Sequence, residues 1–405
     1  MLNILATGMF SRVCCTAATF STGVLLAREY GKEAVGIYVL VLAARRFIFS
    51  ITNMGYLTAI VYKFNNDNAM SRSEVVEIIK RILFFCVCAL FITNLITYYF
   101  TNEYLSSYKS QIVPISLLVI STFFLNLSQR LASIFKKSAA INLSEIFIQS
   151  SFLLLSGLFS FINATGIGEL LTALFLLEII ASLVIIYYLI DYLSHSKVKR
   201  KELYSISHLF AYSKWIYISN WINSIIVDFP VFSMNWLSVP LANIGVFSRS
   251  MTFVNLGRNL LNPMAKVIFP YFREGEERVI TNYFKVVLTL ILLFSPIMII
   301  FGSYAEFIVK NIYGNDFIEA AEYLTIMAPI LLIQPFNVVS NVFLTAMGKA
   351  KNVSIFSIFS LLILTVTSTY LFDSLGVKAI AVSILSQQVI IAICYLFLVI
   401  RLVRK

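Results

Sequence analysis

Residues 3–27 read NILATGMFSRVCCTAATFSTGVLLA, and residues 35–62 read VGIYVLVLAARRFIFSITNMGYLTAIVY. Each stretch is longer than the roughly 20 apolar residues that a helix needs to cross a bilayer. Arginine lies near the middle of both, as Arg12 in the first and as Arg45 and Arg46 in the second. A charge at that depth costs about 2.5–3.5 kcal/mol, so it usually faces a protein interior or a water-filled cavity. The two stretches therefore predict membrane helices beside a positively charged interior.

The rest of the chain continues the same pattern. Its mean hydropathy is +0.87, with 59% hydrophobic and 13% charged residues. We therefore expect an all-α polytopic membrane protein with about 12 transmembrane helices. No cleavable signal peptide is expected, because the first apolar stretch has no basic leader and is too long. The predicted spans are 3–27, 35–62, 82–100, 112–135, 138–162, 169–192, 215–239, 244–270, 283–305, 319–347, 353–373 and 379–400.

Positive charge predicts the orientation of these helices. Basic residues concentrate in alternate connections, and the clearest cluster lies at 197–201. The positive-inside rule then places both termini in the cytoplasm, as expected for a multi-pass protein of a bacterial inner (cytoplasmic) membrane. The excess of 31 basic over 20 acidic residues thus follows from topology. We expect no nucleic-acid partner, because no connection is long enough to form a binding module.

A weak internal repeat predicts two halves. The second span begins with Gly36-Ile-Tyr, and the eighth begins with Gly245-Val-Phe, in the same place after a first long helix. Two pseudo-repeated six-helix lobes around a central cavity are typical of repeat-built transporters. The predicted boundaries are an N-terminal lobe at 1–193, a basic cytoplasmic linker at 194–214 and a C-terminal lobe at 215–405.

Polar residues at helical spacing predict what lines the cavity. Arg12, Arg46 and Arg258 each have polar companions on the same helix face, whereas Arg45 is rotated by about 100° and could point to a neighbouring helix. Arg249 is expected to reach the headgroups. A snorkelling or carboxylate-paired structural role is the alternative for each arginine. The candidate substrate-binding residues are Arg12, Arg45, Arg46, Asn255, Arg258, Asn262, Lys266, Gln334, Asn337 and Asn341.

Acidic residues within the spans are few, and Asp228, Glu145 and Glu178 are the candidates for ion coupling. Carboxylates at membrane depth commonly relay protons or hold sodium, so H⁺ or Na⁺ would be the coupled ion. Pairing with one of the arginines is an equally good reading for Asp228 and Glu145.

Enzyme signatures are missing from the sequence. His195 and His208 have no ligand partners at metal-site spacing, and no nucleophile or phosphate-loop motif occurs in a suitable context. We therefore predict no catalytic residue, no metal site and no cofactor, and not an enzyme.

Three short motifs give the chain a family resemblance. Residues 26–38, LAREYGKEAVGIY, resemble the early motif of polysaccharide-repeat flippases, in which a Leu-Ala-Arg-like run ends one helix and Gly-x-Tyr begins the next. IYGNDF at 312–317 with Ala320 and Ala321, and LGVKAIA at 375–381, resemble later parts of the same family. The family is that of the O-antigen and exopolysaccharide flippases, within the multidrug/oligosaccharidyl-lipid/polysaccharide exporter superfamily.

The resemblance implies a fold like that of the lipid II flippase. It also implies a substrate, an undecaprenyl-diphosphate-linked oligosaccharide, which alternating access would move from the cytoplasmic to the outer leaflet. Cavity arginines on the first, second and eighth helices would meet the diphosphate. A polysaccharide polymerase and chain-length proteins are the implied partners. An ion-coupled drug or metabolite antiporter of the same superfamily is the main alternative, and a membrane polymerase or transferase is the third.

Overall fold

The computed structural model describes residues 2–53, 80–81, 84, 86–91, 112–135, 137–162, 166–194, 206–268, 279–347 and 349–403. Within these ranges the regular structure is helical, and no strand occurs. The helices are α1 (Leu2–Asn53), α2 (Ile112–Ile134), α3 (Ser138–Phe161), α4 (Ile167–Ser194), α5 (Ile206–Trp236), α6 (Leu241–Ile268), α7 (Val279–Ser303), α8 (Ala305–Tyr313), α9 (Ala320–Met327), α10 (Ile330–Ala346), α11 (Ala350–Leu375) and α12 (Lys378–Val403).

The protein is a multi-pass membrane protein. In the described part of the chain, seven helices are long and apolar enough to cross a bilayer, and an eighth is counted if the bent pair of α9 and α10 is one span. α1 is long enough for two crossings, because 52 residues at about 1.5 Å per residue exceed twice the hydrocarbon thickness. The predicted third span, 82–100, falls mostly outside the described residues. The total of twelve therefore stays a prediction.

α1 joins the first two predicted spans at a kink. Gly31 has φ 77° and ψ 178°, whereas helical geometry continues on both sides of it. Only glycine adopts that region without steric strain, because any side chain would collide with the backbone. The sequence predicted a connection from 28 to 34, and the structure reduces it to this single residue.

The chain divides into two compact units whose boundaries differ from the predicted lobes. The first unit is Met1–Leu25 with Ile37–Ser224, and the second is Leu26–Gly36 with Ile225–Lys405. The kink of α1 thus belongs to the second unit. α5 begins at Ile206, inside the predicted linker, and is shared between the two units.

In the first unit, α2 and α3 both pack against α4. Phe123 of α2 is fully buried and meets Phe49 of α1 edge to face, with ring centroids 4.8 Å apart. Tyr38 of α1 stacks on Phe152 of α3 at 6.1 Å. These aromatic contacts hold the second arm of α1 against α2 and α3.

In the second unit, α7 packs against α10, α10 against α12, and α11 against α12. Tyr283 of α7 lies at the centre of one buried cluster, where its ring meets Phe343 of α10 at 4.9 Å. Its hydroxyl shares a 2.8 Å hydrogen bond with Ser340. The polar end of this tyrosine is therefore satisfied inside an apolar core.

The kink segment crosses the start of α6 through two glycines. A Cβ added to Gly36 would overlap the carbonyl oxygen of Leu241, and one added to Gly245 would overlap that of Lys32. The contact is reciprocal, because Leu241 lies four residues before Gly245 and Lys32 lies four residues before Gly36. Small residues allow such close helix crossings. These are the two glycines that the sequence repeat aligned, and they lie against each other.

The region between α7 and α10 differs from the sequence prediction. Residues 306–318 were expected to be a connecting loop, but they form α8 and a 3₁₀ turn, Asn315–Phe317. The predicted span 319–347 is broken into α9 and α10, which are bent by 48°. Pro329 lies at the break, where its missing N–H and its ring prevent a continuous helix.

Arg28, from the Leu-Ala-Arg motif, closes the end of α8. Its Nε donates a 2.8 Å hydrogen bond to the carbonyl oxygen of Ile312, and its Nη2 donates to that of Asn311. Carbonyls in the last turn of a helix lack intrahelical partners and carry partial negative charge, so a guanidinium satisfies both needs.

We expect Arg28→Gln to lower the free energy of unfolding by about 1 kcal/mol, since two exposed charge-assisted hydrogen bonds are lost. Thermal unfolding of the detergent-purified protein would measure this. Lys285→Gln, an exposed change on α7, is the control and should leave the midpoint unchanged. Equal midpoints for Arg28→Gln and the wild type would contradict the capping role.

Candidate functional site

Polar side chains of α1 and α3 face each other in the first unit. The guanidinium of Arg12 on α1 lies 3.3 Å from the carboxylate of Glu145 on α3. Further along the same faces, Thr19 Oγ1 donates to Gln149 Oε1 at 3.0 Å. Arg12 stays about half exposed, at 54%, and so remains within reach of a ligand while it is charge-matched. The structure therefore brings a predicted substrate-binding arginine and a predicted coupling carboxylate together.

Arg45 and Glu178 form a second, more buried pair. Nη1 of Arg45 on α1 donates to Oε1 of Glu178 on α4 at 2.7 Å, and the side chain of Glu178 is only 4% exposed. Ser121 of α2 donates to the other carboxylate oxygen. Arg45 thus points to a neighbouring helix, which is the orientation that its 100° rotation allowed. Arg46, the next residue, is exposed.

Arg249 on α6 is placed differently from the expectation. It was predicted to reach the headgroups, but it is 4% exposed. Its guanidinium lies 5.8 Å from the ring centre of Tyr313, within cation–π range, and its Nε donates to Ser248 at 3.4 Å. Tyr313 is the last residue of α8, the helix that the sequence analysis took for a loop. Because this segment was predicted to be a loop, the contact between Arg249 and the Tyr313 ring was not expected.

Arg258 lies on the same helix, in the second unit, and is half-buried. Among the residues that the structure describes, it forms no salt bridge and no hydrogen bond. Asn255, three residues earlier on the same face, is also half-buried. Of the other predicted residues here, Asn262 and Lys266 lie where only the backbone is described.

The predicted amides of α10 are buried in the second unit. Gln334 and Asn337 are 6% and 8% exposed, and they share a face because they are three residues apart. Within the described chain, Oε1 of Gln334 and Oδ1 of Asn337 have no hydrogen-bond partner. Asn341, one turn further, donates to the hydroxyl of Tyr395 at 3.4 Å. An unsatisfied buried acceptor costs about 1–3 kcal/mol, so two of them mark a place ready to accept hydrogen bonds.

The structure adds polar residues that the sequence pattern did not single out. Asn337 Nδ2 donates to the side chain of Gln388 on α12 at 2.8 Å, and Gln388 Nε2 donates to Gln387 at 3.1 Å. Gln387 in turn donates to Ser360 on α11. A chain of polar side chains therefore links three membrane helices. Two adjacent glutamines in an apolar span were the available signal.

The third coupling candidate, Asp228, lies on α5 in the second unit and is 2% exposed. It precedes Pro230, whose ring removes one backbone hydrogen bond within this helix. No group of three His, Cys, Asp or Glu side chains in the described ranges could hold a metal ion.

Comparison with known families matches most of the chain. A family model described as "Polysaccharide biosynthesis protein" matches residues 9–276. A search of curated proteins gives no significant match.

Three solved structures of similar fold are described as a flippase or as transporters. Lipid II flippase MurJ in an inward closed conformation is similar with a TM-score of 0.74 and 15% identity, over 98% of this chain and 87% of that one. An inward-facing multidrug resistance MATE family transporter of the MOP superfamily gives 0.69 and 15%, over 96% and 97%. A MOP superfamily transporter from Pyrococcus furiosus, described by a reversed polarity of its binding pocket, gives 0.64 and 14%, over 98% and 94%. At these identities the likeness shows the fold.

Proposed function

The chain belongs to the polysaccharide biosynthesis protein family, and we propose that within this family it acts as a flippase for an undecaprenyl-diphosphate-linked oligosaccharide. The substrate would move from the cytoplasmic to the outer leaflet by alternating access. Both termini would lie in the cytoplasm, and a polymerase with chain-length proteins would receive the product. Family membership and the MOP transporter fold support the transport role.

Arg258 is the observation that carries the proposal. A guanidinium half-buried in an apolar protein, without a carboxylate partner in the described chain, is costly unless an anion joins it. A diphosphate is an anion that guanidinium binds well, because its planar fork matches two phosphate oxygens at once. Arg258 would therefore hold the diphosphate, and Asn255 would add a neutral donor on the same face.

The sugars would be bound by the amides of α10. Sugar hydroxyls are hydrogen-bond donors as well as acceptors, and the free acceptors of Gln334 and Asn337 suit them. Gly257, next to Arg258, places α6 close to this face, since a Cβ there would lie 3.7 Å from Oε1 of Gln334. The residues that bind the diphosphate and those that bind the glycan would then be neighbours within the second unit.

Coupling would act through the paired carboxylates. Protonation of Glu145 would remove its attraction for Arg12 and leave that guanidinium free to bind another anion. Glu178 would stay structural, because it already holds Arg45 and Ser121. Asp228 would be the site for H⁺ or Na⁺ in the second unit. Arg46, Asn262 and Lys266 would line the substrate path, as the sequence suggests.

A drug or metabolite antiporter is the second candidate, since the same fold occurs in a multidrug MATE transporter. A pathway for cationic drugs would require unpaired carboxylates. In the first unit Glu145 and Glu178 are both neutralised by arginines, which favours an anionic substrate.

Translocation in reconstituted vesicles tests the proposal. We expect Arg258→Ala to reduce the transport rate of a lipid-linked oligosaccharide about 10-fold to 100-fold, from the loss of charge-assisted contacts of about 1.5–3 kcal/mol. Arg258→Lys should recover part of the rate, because it keeps the charge but loses the planar fork. Lys378→Gln, at an exposed pair with Glu322, is the control and should transport normally. Wild-type transport by Arg258→Ala, or efflux of cationic drugs without lipid-linked sugar transport, would refute the proposal.

A further inference from the structure

A groove runs between α3 and α4 in the first unit, and none of the residues discussed so far lines it. Its volume is about 600 Å³. The walls come from one face of each helix, because on both helices the lining residues follow one another at alternating intervals of one and three. They are Ala139, Ala140, Leu143, Ser144 and Phe147 on α3, and Ile180, Ala181, Val184, Ile185 and Tyr188 on α4, with Lys137 at one end.

Small side chains create the space of the groove. Ser144 and Ala181 are 7% and 4% exposed, and their short side chains leave space between two helices that pack together. Leu143 and Val184 also line the groove and are largely exposed. The groove therefore opens sideways from two membrane-crossing helices, where the surrounding medium is lipid.

One end of the groove is positively charged. The ammonium of Lys137, just before α3, lies 5.7 Å from the ring centre of Tyr188, which is 46% exposed. The lining is otherwise apolar apart from the Ser144 hydroxyl, which donates to the carbonyl oxygen of Ile141. An apolar trough that ends in a lysine and a tyrosine matches a ligand with a hydrocarbon chain and an anionic head.

From this geometry we propose that the groove binds one anionic phospholipid, with an acyl chain along α3 and α4 and the phosphate at Lys137. The size favours a phospholipid, since 600 Å³ holds about twenty groups the size of a water molecule or a methylene. That is the scale of one acyl chain and far below that of an undecaprenyl chain. The charge favours an anionic headgroup, since the predicted topology puts Lys137 at the cytoplasmic leaflet, where anionic lipids attract lysine.

Native mass spectrometry of the detergent-purified full chain tests this inference. The probes are phosphatidylglycerol, phosphatidylcholine with the same acyl chains, and undecaprenyl phosphate. We expect phosphatidylglycerol to bind about fivefold more tightly than phosphatidylcholine, as one lysine near a lipid surface provides. Lys137→Gln should abolish this preference, and Lys137→Arg should keep it.

Two further variants separate the groove from general lipid binding. Ala140→Leu fills the groove and should weaken the binding of both phospholipids equally. Lys349→Gln, an exposed lysine before α11, is the matched control and should change neither. An unchanged preference in Lys137→Gln, unchanged phospholipid binding in Ala140→Leu, or a loss of undecaprenyl phosphate binding in Ala140→Leu that exceeds the loss of phospholipid binding would each overturn the proposal.

Discussion

Glu178→Ala is expected to lower the free energy of unfolding by about 3–5 kcal/mol, because it leaves the guanidinium of Arg45 without its partner inside the first unit. Arg45 is only 17% exposed, so water cannot replace the carboxylate. Nε of Arg45 already lacks a hydrogen-bond partner in the described structure, which adds to the cost of losing the pair. Tryptophan fluorescence during thermal unfolding in detergent would measure the loss.

A double variant distinguishes an unpaired charge from a simple packing defect. Arg45→Met with Glu178→Leu replaces both charges by apolar side chains of similar size, and such replacements are often neutral or stabilising. We therefore expect the double variant to recover most of the stability. Removal of the exposed Lys378–Glu322 pair, at 49% and 59% exposure, is the control and should cost no more than about 1 kcal/mol. A double variant as unstable as Glu178→Ala would refute the electrostatic explanation.

Gly245→Ala is expected to have the next largest effect, with a loss of about 3 kcal/mol or more. The added methyl group would overlap the carbonyl oxygen of Lys32, and a packed helix backbone cannot move aside as a flexible side chain can. Gly36→Ala should behave alike, because its methyl group would overlap the carbonyl of Leu241. The yield of monodisperse protein and its unfolding midpoint are the measurements.

Gly168→Ala on α4 is the matched control for this crossing. Nothing lies within 4 Å of an added Cβ there, so alanine adds no clash at this position. Its stability should equal or exceed that of the wild type. Wild-type stability in Gly245→Ala would show that the two helices can separate at the crossing without loss.

Helix positions could be predicted wherever apolar runs end sharply. The predicted spans at 112–135, 138–162 and 353–373 agree with α2, α3 and α11 to within a few residues. Hydropathy failed where a short helix is amphipathic, as in α8, because nine residues cannot cross a bilayer and read as a loop. It also gave no sign of the bend at Pro329, since both sides of the break are apolar.

The candidate site could likewise be predicted only in part from the sequence. Periodicity along the chain gave Arg12 polar companions on one helix face, and Glu145 was predicted separately as a carboxylate within a span. The sequence could not show that Arg12 and Glu145 meet, because pairing between helices distant in sequence is a tertiary property. The burial of Arg249 was missed for the same reason, since its partner Tyr313 lies on another element.

The kink of α1 has a consequence for dissecting the molecule into fragments. Leu26–Gly36 lies in the first half of the sequence but completes the second unit, where it fills the crossing at Gly245. If the gene is divided in the basic linker, the C-terminal polypeptide lacks Leu26–Gly36, and its α6 is left uncovered at Gly245. The N-terminal polypeptide carries this segment without the α6 surface against which it packs. Co-expression of the two polypeptides should restore an intact protein, whereas the C-terminal polypeptide alone should be degraded.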